Sequence, residues 1–185
     1  MLDIVYEEAR EKMGKSIEVL KKELARVRTG RASTALLEGI RADYYGTPTP
    51  LNQMATLNVP DPRTIAIQPW DPSAIPDIEK AIMKSDLGLT PTSDGKIIRI
   101  NIPALTEQRR KELVKAVSRM CEEQKVAVRN IRRDANETLK TMKKDGDITE
   151  DEMYKGQDEI QKITDEHIKK IDEVCAGKEK EILEF

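Results

Sequence analysis

The side chains best suited to nucleophilic chemistry are Cys121, Cys175 and His167, the last being the only histidine in 185 residues. His167 and Cys175 stand eight residues apart, which puts them on one face of a helix but separates them by about 12 Å of rise, too far for an imidazole to take a thiol proton. Counting back through a turn at Gly146 sets Cys121 opposite position 172, close to Cys175, as expected for two thiols in a helical seam. Two cysteines and one histidine cannot supply a four-ligand zinc site, so two free, reduced thiols and no metal are expected. The chain also lacks a Gly-x-x-x-x-Gly-Lys-Ser/Thr loop, a Gly-x-Gly-x-x-Gly turn and a paired-histidine helix. Neither an enzyme nor a bound cofactor is expected.

Charge is more informative. The chain has 32 Lys+Arg and 34 Asp+Glu, a net of −2, but the balance is uneven. Residues 109–144 carry 12 basic and 5 acidic residues (12 − 5 = +7), and residues 145–185 carry 6 and 14 (6 − 14 = −8). On a helix at about 100° per residue, Lys125, Arg129, Arg132, Arg133, Lys140 and Lys143 fall in one sector roughly 100° wide, with Asn136 in the same row. Arginine dominates its middle, and its planar fork of donors matches phosphate better than lysine does. Lys21, Lys22, Arg26, Arg28 and Arg31 form a second basic group against Glu23 alone. Such a stripe fits a structured polyphosphate backbone, and it also fits solvation or pairing with the acidic segment that follows. Without interleaved aromatics to stack bases, a nucleic-acid partner would be folded RNA, read by shape and phosphate.

The elements that carry these residues follow from proline and apolar spacing. All nine prolines lie between Pro48 and Pro103. Because proline breaks helix interiors, two helical ends flanking a compact insertion are expected. Tyr6, Ala9, Met13, Ile17, Leu20, Leu24 and Val27 make one helical stripe from Asp3 to Arg28, ended by Thr29-Gly30. A second long helix runs from the N-cap Thr106 to Lys144 along Leu113, Val117, Met120, Gln124, Val128, Ile131, Ala135, Leu139 and Met142. After Asp145-Gly146-Asp147, Thr149 and Glu152 form a capping box opening a third, with Met153, Ile160, Ile163, His167, Ile171, Val174 and Ile182 as its seam.

In the middle, strands are expected at Ile40–Tyr45, Met54–Val59, Thr64–Gln68 and Ile97–Ile102. One helix opens at Asp71-Pro72-Ser73, buries Ile75, Ile78, Ile82 and Met83, and closes at Leu87-Gly88. Tyr44 and Tyr45 read as packing at a hairpin edge, and Trp70 as a core plug or partial lid. The fold class is α+β in two domains: an antiparallel three-helix bundle from residues 1–30 and 104–185, with an inserted β/α domain at 31–103. The longest uncharged stretch, Tyr44–Pro60, holds three prolines and is no membrane span. With an N-terminus unlike a signal peptide, a cytoplasmic protein is expected.

Five blocks in order, Arg28-Thr29-Gly30-Arg31-Ala32-Ser33, Tyr44-Tyr45-Gly46-Thr47-Pro48-Thr49-Pro50-Leu51, Glu79-Lys80-Ala81-Ile82 with Ser85-Asp86-Leu87-Gly88-Leu89, Leu105-Thr106-Glu107-Gln108-Arg109-Arg110-Lys111, and Val128-Arg129-Asn130-Ile131-Arg132-Arg133-Asp134-Ala135-Asn136, resemble bacterial ribosome recycling factor. The resemblance implies an elongated bundle with a swinging smaller domain, together shaped somewhat like a transfer RNA, and a non-enzymatic translation factor acting as a monomer. It implies binding of the bundle to large-subunit ribosomal RNA in the post-termination 70S ribosome. With elongation factor G and that partner's GTP hydrolysis, the subunits separate and messenger RNA is released. Carried onto this chain, RNA docking falls on Arg132 first, then Arg129 and Arg133, with Arg28 and Arg31 from the first block. The charge map adds Lys125. The interdomain hinge falls on Gly30-Arg31 and Pro103-Ala104. A helical protein-interaction module whose arginines serve only bundle stability is the competing reading.

Overall fold

In the computed structural model, which describes residues 1–184, the chain divides into two units, Met1–Arg28 with Glu107–Glu184, and Thr29–Thr106. In chain order the elements are α1 (Leu2–Ala25), β1 (Arg41–Tyr44), β2 (Thr47–Pro50), β3 (Ala55–Asp61), β4 (Thr64–Pro69), α2 (Ile75–Lys84), β5 (Pro91–Ser93), β6 (Ile98–Asn101), α3 (Glu107–Lys144) and α4 (Glu150–Glu184). The class is α+β: a bundle of α1, α3 and α4, and a smaller unit of sheet and one helix.

The bundle is built from single seams. Val5, Ala9, Met13, Ile17, Leu20 and Leu24 are buried along α1, and Leu113, Val117, Cys121, Val128, Ala135 and Leu139 along α3. On α4 the seam is Met153, Gly156, Ile160, Ile163, Thr164, His167, Ile171, Cys175 and Ile182. Each helix contacts the other two. At 38 residues, α3 is about 57 Å long. It ends in a left-handed cap: Gly146 has φ +81°, its N–H donates to Lys143 O at 3.1 Å, and the Asp147 N–H donates to Met142 O at 2.9 Å. This tight reversal brings α4 back antiparallel along α3. Thr149 Oγ1 accepts from the Glu152 N–H at 3.2 Å, while its hydroxyl donates to the Glu152 carboxylate. The glutamate thus returns to the cap's hydroxyl rather than to its backbone N–H. A Cβ on Gly156 would lie 3.0 Å from Leu139 Cδ1, so glycine here permits close approach of α4 to α3.

α1 stops three residues short of the expected Arg28. Its last turn tightens, with the Arg26 N–H reaching Glu23 O and the Val27 N–H reaching Leu24 O at 3.0 Å. Gly30, φ +78°, lies beyond the helix and is not its cap.

In the smaller unit β3-β4-β6-β5 form an antiparallel sheet and β1-β2 a separate hairpin. Ile65 and Ile67 of β4 and Ile98 and Ile100 of β6 share a core with Ile75, Ile78 and Ile82 of α2. The unanticipated strands, Thr47–Pro50 and Pro91–Ser93, contain prolines and pair along one side only, where a missing N–H is tolerated. The backbone N–H groups of Ala32 and Ile102, at the two ends of this unit, donate to Pro62 O and Arg63 O, each at 2.7 Å. Both ends are therefore pinned at the β3–β4 turn. Met83, expected in the core, is exposed, because α2 turns that position away from the sheet.

Candidate nucleic-acid interface

The cations of α3 do not share one electrostatic state. Lys125 Nζ lies 2.5 Å from Asp172 Oδ1 of α4, with its side chain 22% exposed. Its stem lies against the bundle and its charge is matched across the helix pair. Arg129 Nη1 meets Glu122 Oε1 of its own helix at 3.1 Å. Lys140 pairs with Glu137 at 2.9 Å and Lys143 reaches Glu150 at 4.0 Å. Exposed pairs of this kind contribute about 0–1 kcal/mol each, but each places a carboxylate beside the cation.

Arg132 is different. Its Nη1 donates to Gln161 Oε1 of α4 at 3.3 Å, so the partner across the helices is a neutral amide. The Arg133 side chain is exposed and makes no hydrogen bond or ion pair among the described residues. Asn136, one turn beyond Arg132, carries a buried Oδ1 without a partner. At the middle of the stripe, where arginine is concentrated, the positive charge is least compensated. An antiparallel α3–α4 register places these groups: Ser118 with Glu179, Cys121 with Cys175, Lys125 with Asp172 and Arg132 with Gln161. Arg28 lies exposed at the end of the bundle unit's first segment, and Arg31 belongs to the smaller unit.

The expectation of two free thiols is overturned. Cys121 and Cys175 are joined in a disulfide, with Cα atoms 6.4 Å apart. The register that counting had placed near contact brings the Cα atoms within bridging distance. Both are buried, at 5% and 8% exposure. With no free thiol in either position, the pair offers no nucleophile to His167, whose Nδ1 instead donates to Ile163 O at 2.7 Å within α4.

A second polar surface occupies the smaller unit. Asp43, Tyr45, Asp71, Ser73 and Asp77 line an open hollow of about 250 Å³. Tyr44 packs partly buried against the core, whereas Tyr45 is 81% exposed and packs only edge-on against the Tyr44 ring, with centroids 4.6 Å apart. The Tyr45 hydroxyl donates to Asp71 Oδ2 at 2.7 Å, while Asp71 Oδ1 accepts from the Ser73 N–H at 3.0 Å and the Ser73 hydroxyl at 2.8 Å. These donors, Tyr45 first, hold the Asp71 carboxyl below its ordinary value, and the same bond raises the Tyr45 phenol. Trp70 is no core plug: it is 64% exposed, with Nε1 donating to Thr56 Oγ1 at 3.2 Å. That bond ties the ring, which follows β4, to a residue of β3. Neither exposure had a signal in the sequence, since hairpin tyrosines and a lone tryptophan usually pack.

Comparison with known proteins gives the chain its relatives. A sequence model of the family described as "Ribosome recycling factor" matches residues 20–183. The ribosome-recycling factor of Desulfatibacillum aliphaticivorans is 69% identical over 185 residues, covering 100% of both chains. That of Desulfosudis oleivorans is 66% identical over the same length, again covering 100% of both. Among solved structures, a solution structure of the ribosome recycling factor superposes with a TM-score of 0.76 at 43% identity, covering 100% of this chain and 98% of the other. A T. thermophilus ribosome recycling factor, described with E. coli elongation factor G as bound to the E. coli post-termination complex, gives a TM-score of 0.65 at 52% identity, covering 99% of each chain. With a family match over most of its residues, relatives aligned over its whole length and a shared fold, the chain belongs to the ribosome recycling factor family.

Proposed function

We propose that this protein binds the post-termination ribosome through its bundle, with Arg132 at the centre of a contact to large-subunit ribosomal RNA. Elongation factor G then splits the subunits by acting on the other unit. The observation that carries the reading is the uncompensated charge at the middle of the α3 stripe, where Arg132 has only an amide partner and Arg133 none among the described residues. Arg129 and Lys125 extend the contact with charge already shared with Glu122 and Asp172. Arg28 and Arg31 belong to the same docking set. The T. thermophilus relative described on a post-termination complex with elongation factor G supports the choice of partners, and action on ribosomes assigns the protein to the cytoplasm. GTP hydrolysis is the partner's contribution.

The two crossings between the units act as the hinge. Ala32 and Ile102 are fixed to the β3–β4 turn, so bending concentrates in the residues just outside them, Gly30-Arg31 and Pro103-Ala104. Gly30 already has the left-handed φ that side-chain-bearing residues resist.

Co-sedimentation with purified bacterial large subunits across a salt series tests the docking contact. Affinity falls with added salt, more steeply the more phosphates are contacted. Arg132→Ala reduces binding about tenfold to a hundredfold, the effect of losing a hydrogen bond to a charged group, with helicity unchanged. Equal binding by both proteins would return Arg132 to a bundle-stabilising role.

A further inference from the structure

We propose that Gln161, itself held by Asp165, is the positioning residue that aims the Arg132 guanidinium at phosphate without neutralising it. This rests on the docking role of Arg132 given above. Two bonds carry the inference. Arg132 Nη1 donates to Gln161 Oε1 at 3.3 Å, and Gln161 Nε2 donates to Asp165 Oδ1, one turn further along α4, at 2.8 Å. Arginine has donors and no acceptor, and an ionised carboxylate has acceptors and no donor. Turning the amide over would therefore set donor against donor at Arg132 and acceptor against acceptor at Asp165. Both neighbours enforce the same orientation.

What sets this position apart is the charge of the partner. Lys125, Arg129, Lys140 and Lys143 each face a carboxylate, on Asp172, Glu122, Glu137 and Glu150. α4 is rich in acids, 12 of residues 150–184, so a carboxylate is the ordinary partner it offers α3. At 161 an amide stands instead, and the carboxylate one turn further along α4, Asp165, is engaged by the amide rather than by the arginine. The guanidinium thus keeps its full charge and most of its fork free for a bidentate phosphate contact. Because one arm is already tethered, fewer rotamers must be frozen on docking, and less affinity is lost to ordering.

The role separates from a structural one through Gln161→Glu. A glutamate gives Arg132 an ion pair like those of its neighbours, which offsets the loss of the bond to Asp165 and the like-charge contact made there, so the bundle stays folded, yet it cancels the charge the docking contact uses. The experiment measures binding of the full chain to purified large subunits over a salt series, with thermal melting alongside. The variants are Gln161→Glu, Gln161→Leu, Arg132→Ala, and Arg132→Ala combined with Gln161→Glu. Gln161→Glu is expected to weaken binding about tenfold and to reduce the slope of log affinity against log salt by about one, with the protein still melting cooperatively within a few degrees of wild type. Gln161→Leu, which frees the arginine without neutralising it, is expected to weaken binding about threefold and leave the slope unchanged. In the Arg132→Ala background, Gln161→Glu is expected to change binding by less than about twofold. Wild-type affinity and slope in Gln161→Glu would overturn the proposal. So would an equal loss in the Arg132→Ala background, which marks general repulsion by an added negative charge. If Arg132→Ala alone binds like wild type, the docking reading itself falls and this inference falls with it.

Discussion

The two units close their cores in different ways. The bundle buries one narrow seam per helix over 24, 38 and 35 residues, leaving most of each helix surface outside the core. The smaller unit concentrates its burial in a short list of isoleucines, Ile65, Ile67, Ile78, Ile82, Ile98 and Ile100, all completely enclosed. A seam can tolerate a defect locally, because neighbouring turns still hold the helices, whereas a small sheet-and-helix core has few residues to share a loss. The same contrast divides their surfaces. The bundle can commit a whole helix face to arginine and lysine without disturbing its packing, while the smaller unit shows a compact acidic and aromatic hollow beside its sheet.

The largest effect that would break this comparison comes from the small core. Ile67→Ala removes a fully buried side chain at the centre of β4 and is expected to cost about 2–5 kcal/mol. Trp70, the only tryptophan, lies in this unit, so its fluorescence reports the smaller unit while far-UV circular dichroism is dominated by the three long helices. The fluorescence transition should move to lower denaturant with the helical transition nearly unmoved. If both shift together, the units unfold as one and the contrast drawn here is wrong.

Next in size is the bundle's covalent staple. The Cys121–Cys175 bond joins residues 54 apart in sequence. By closing a loop of that length in the unfolded chain, it is expected to stabilise the bundle by about 2–4 kcal/mol. Reductant should lower the helical melting temperature of the wild type and leave Trp70 fluorescence of the native state in place. The Cys121→Ser, Cys175→Ser double variant should melt like the reduced protein and ignore reductant. A wild type whose melting is indifferent to reductant would mean that the seam alone sets the bundle's stability.

The contrast between units also explains what could be read from the residues. The bundle was legible because its rule is periodic: spacings of three and four mark Met13, Ile17, Leu20 and Leu24, and equally Ile160, Ile163, His167 and Ile171, and all are buried. Gly146 marked the reversal, and the acidic-to-basic contrast marked the paired faces. In the smaller unit only strands with apolar alternation were visible. The Thr47–Pro50 and Pro91–Ser93 strands are defined by a neighbour's hydrogen bonds rather than by their own composition. Trp70 and Tyr45 went astray for a related reason, since an aromatic ring's burial is decided by tertiary partners, here Thr56 and Asp71. Among the candidate docking residues, helical geometry grouped the cations. Which of them face carboxylates is only half contained in that geometry: Glu122 and Glu137 lie on α3 itself, while Asp172, Glu150 and the neutral Gln161 are side chains of α4 that no spacing rule on α3 contains. The disulfide lay at the boundary: register brought the cysteines near each other, and redox chemistry was not written in their spacing.

The smallest effect belongs to the hollow of the smaller unit and sharpens the contrast by pH. The Asp71 carboxylate accepts from the Tyr45 hydroxyl, the Ser73 hydroxyl and the Ser73 N–H, and these donors hold its pKa below the ordinary aspartate value. A carboxyl lowered in the folded state contributes stability that is present above its unfolded pKa and is lost as pH falls through the folded one. Tyr45 runs the other way: its raised phenol keeps the bond to Asp71 as pH climbs, until the phenol ionises above its usual range. Since both groups are open to solvent, water competes for these bonds, and the expected signature is a local titration rather than global unfolding. The Ser73 amide resonance should follow the acid step with a midpoint below the ordinary carboxylate range. Asp71→Ala should erase that step and lower the Tyr45 phenol toward its usual pKa, with the helical signal of the bundle unaffected throughout. A Ser73 amide that titrates at an ordinary aspartate midpoint would show that Asp71 is solvated rather than held, leaving the Tyr45 ring placed by its edge-on contact with Tyr44 alone.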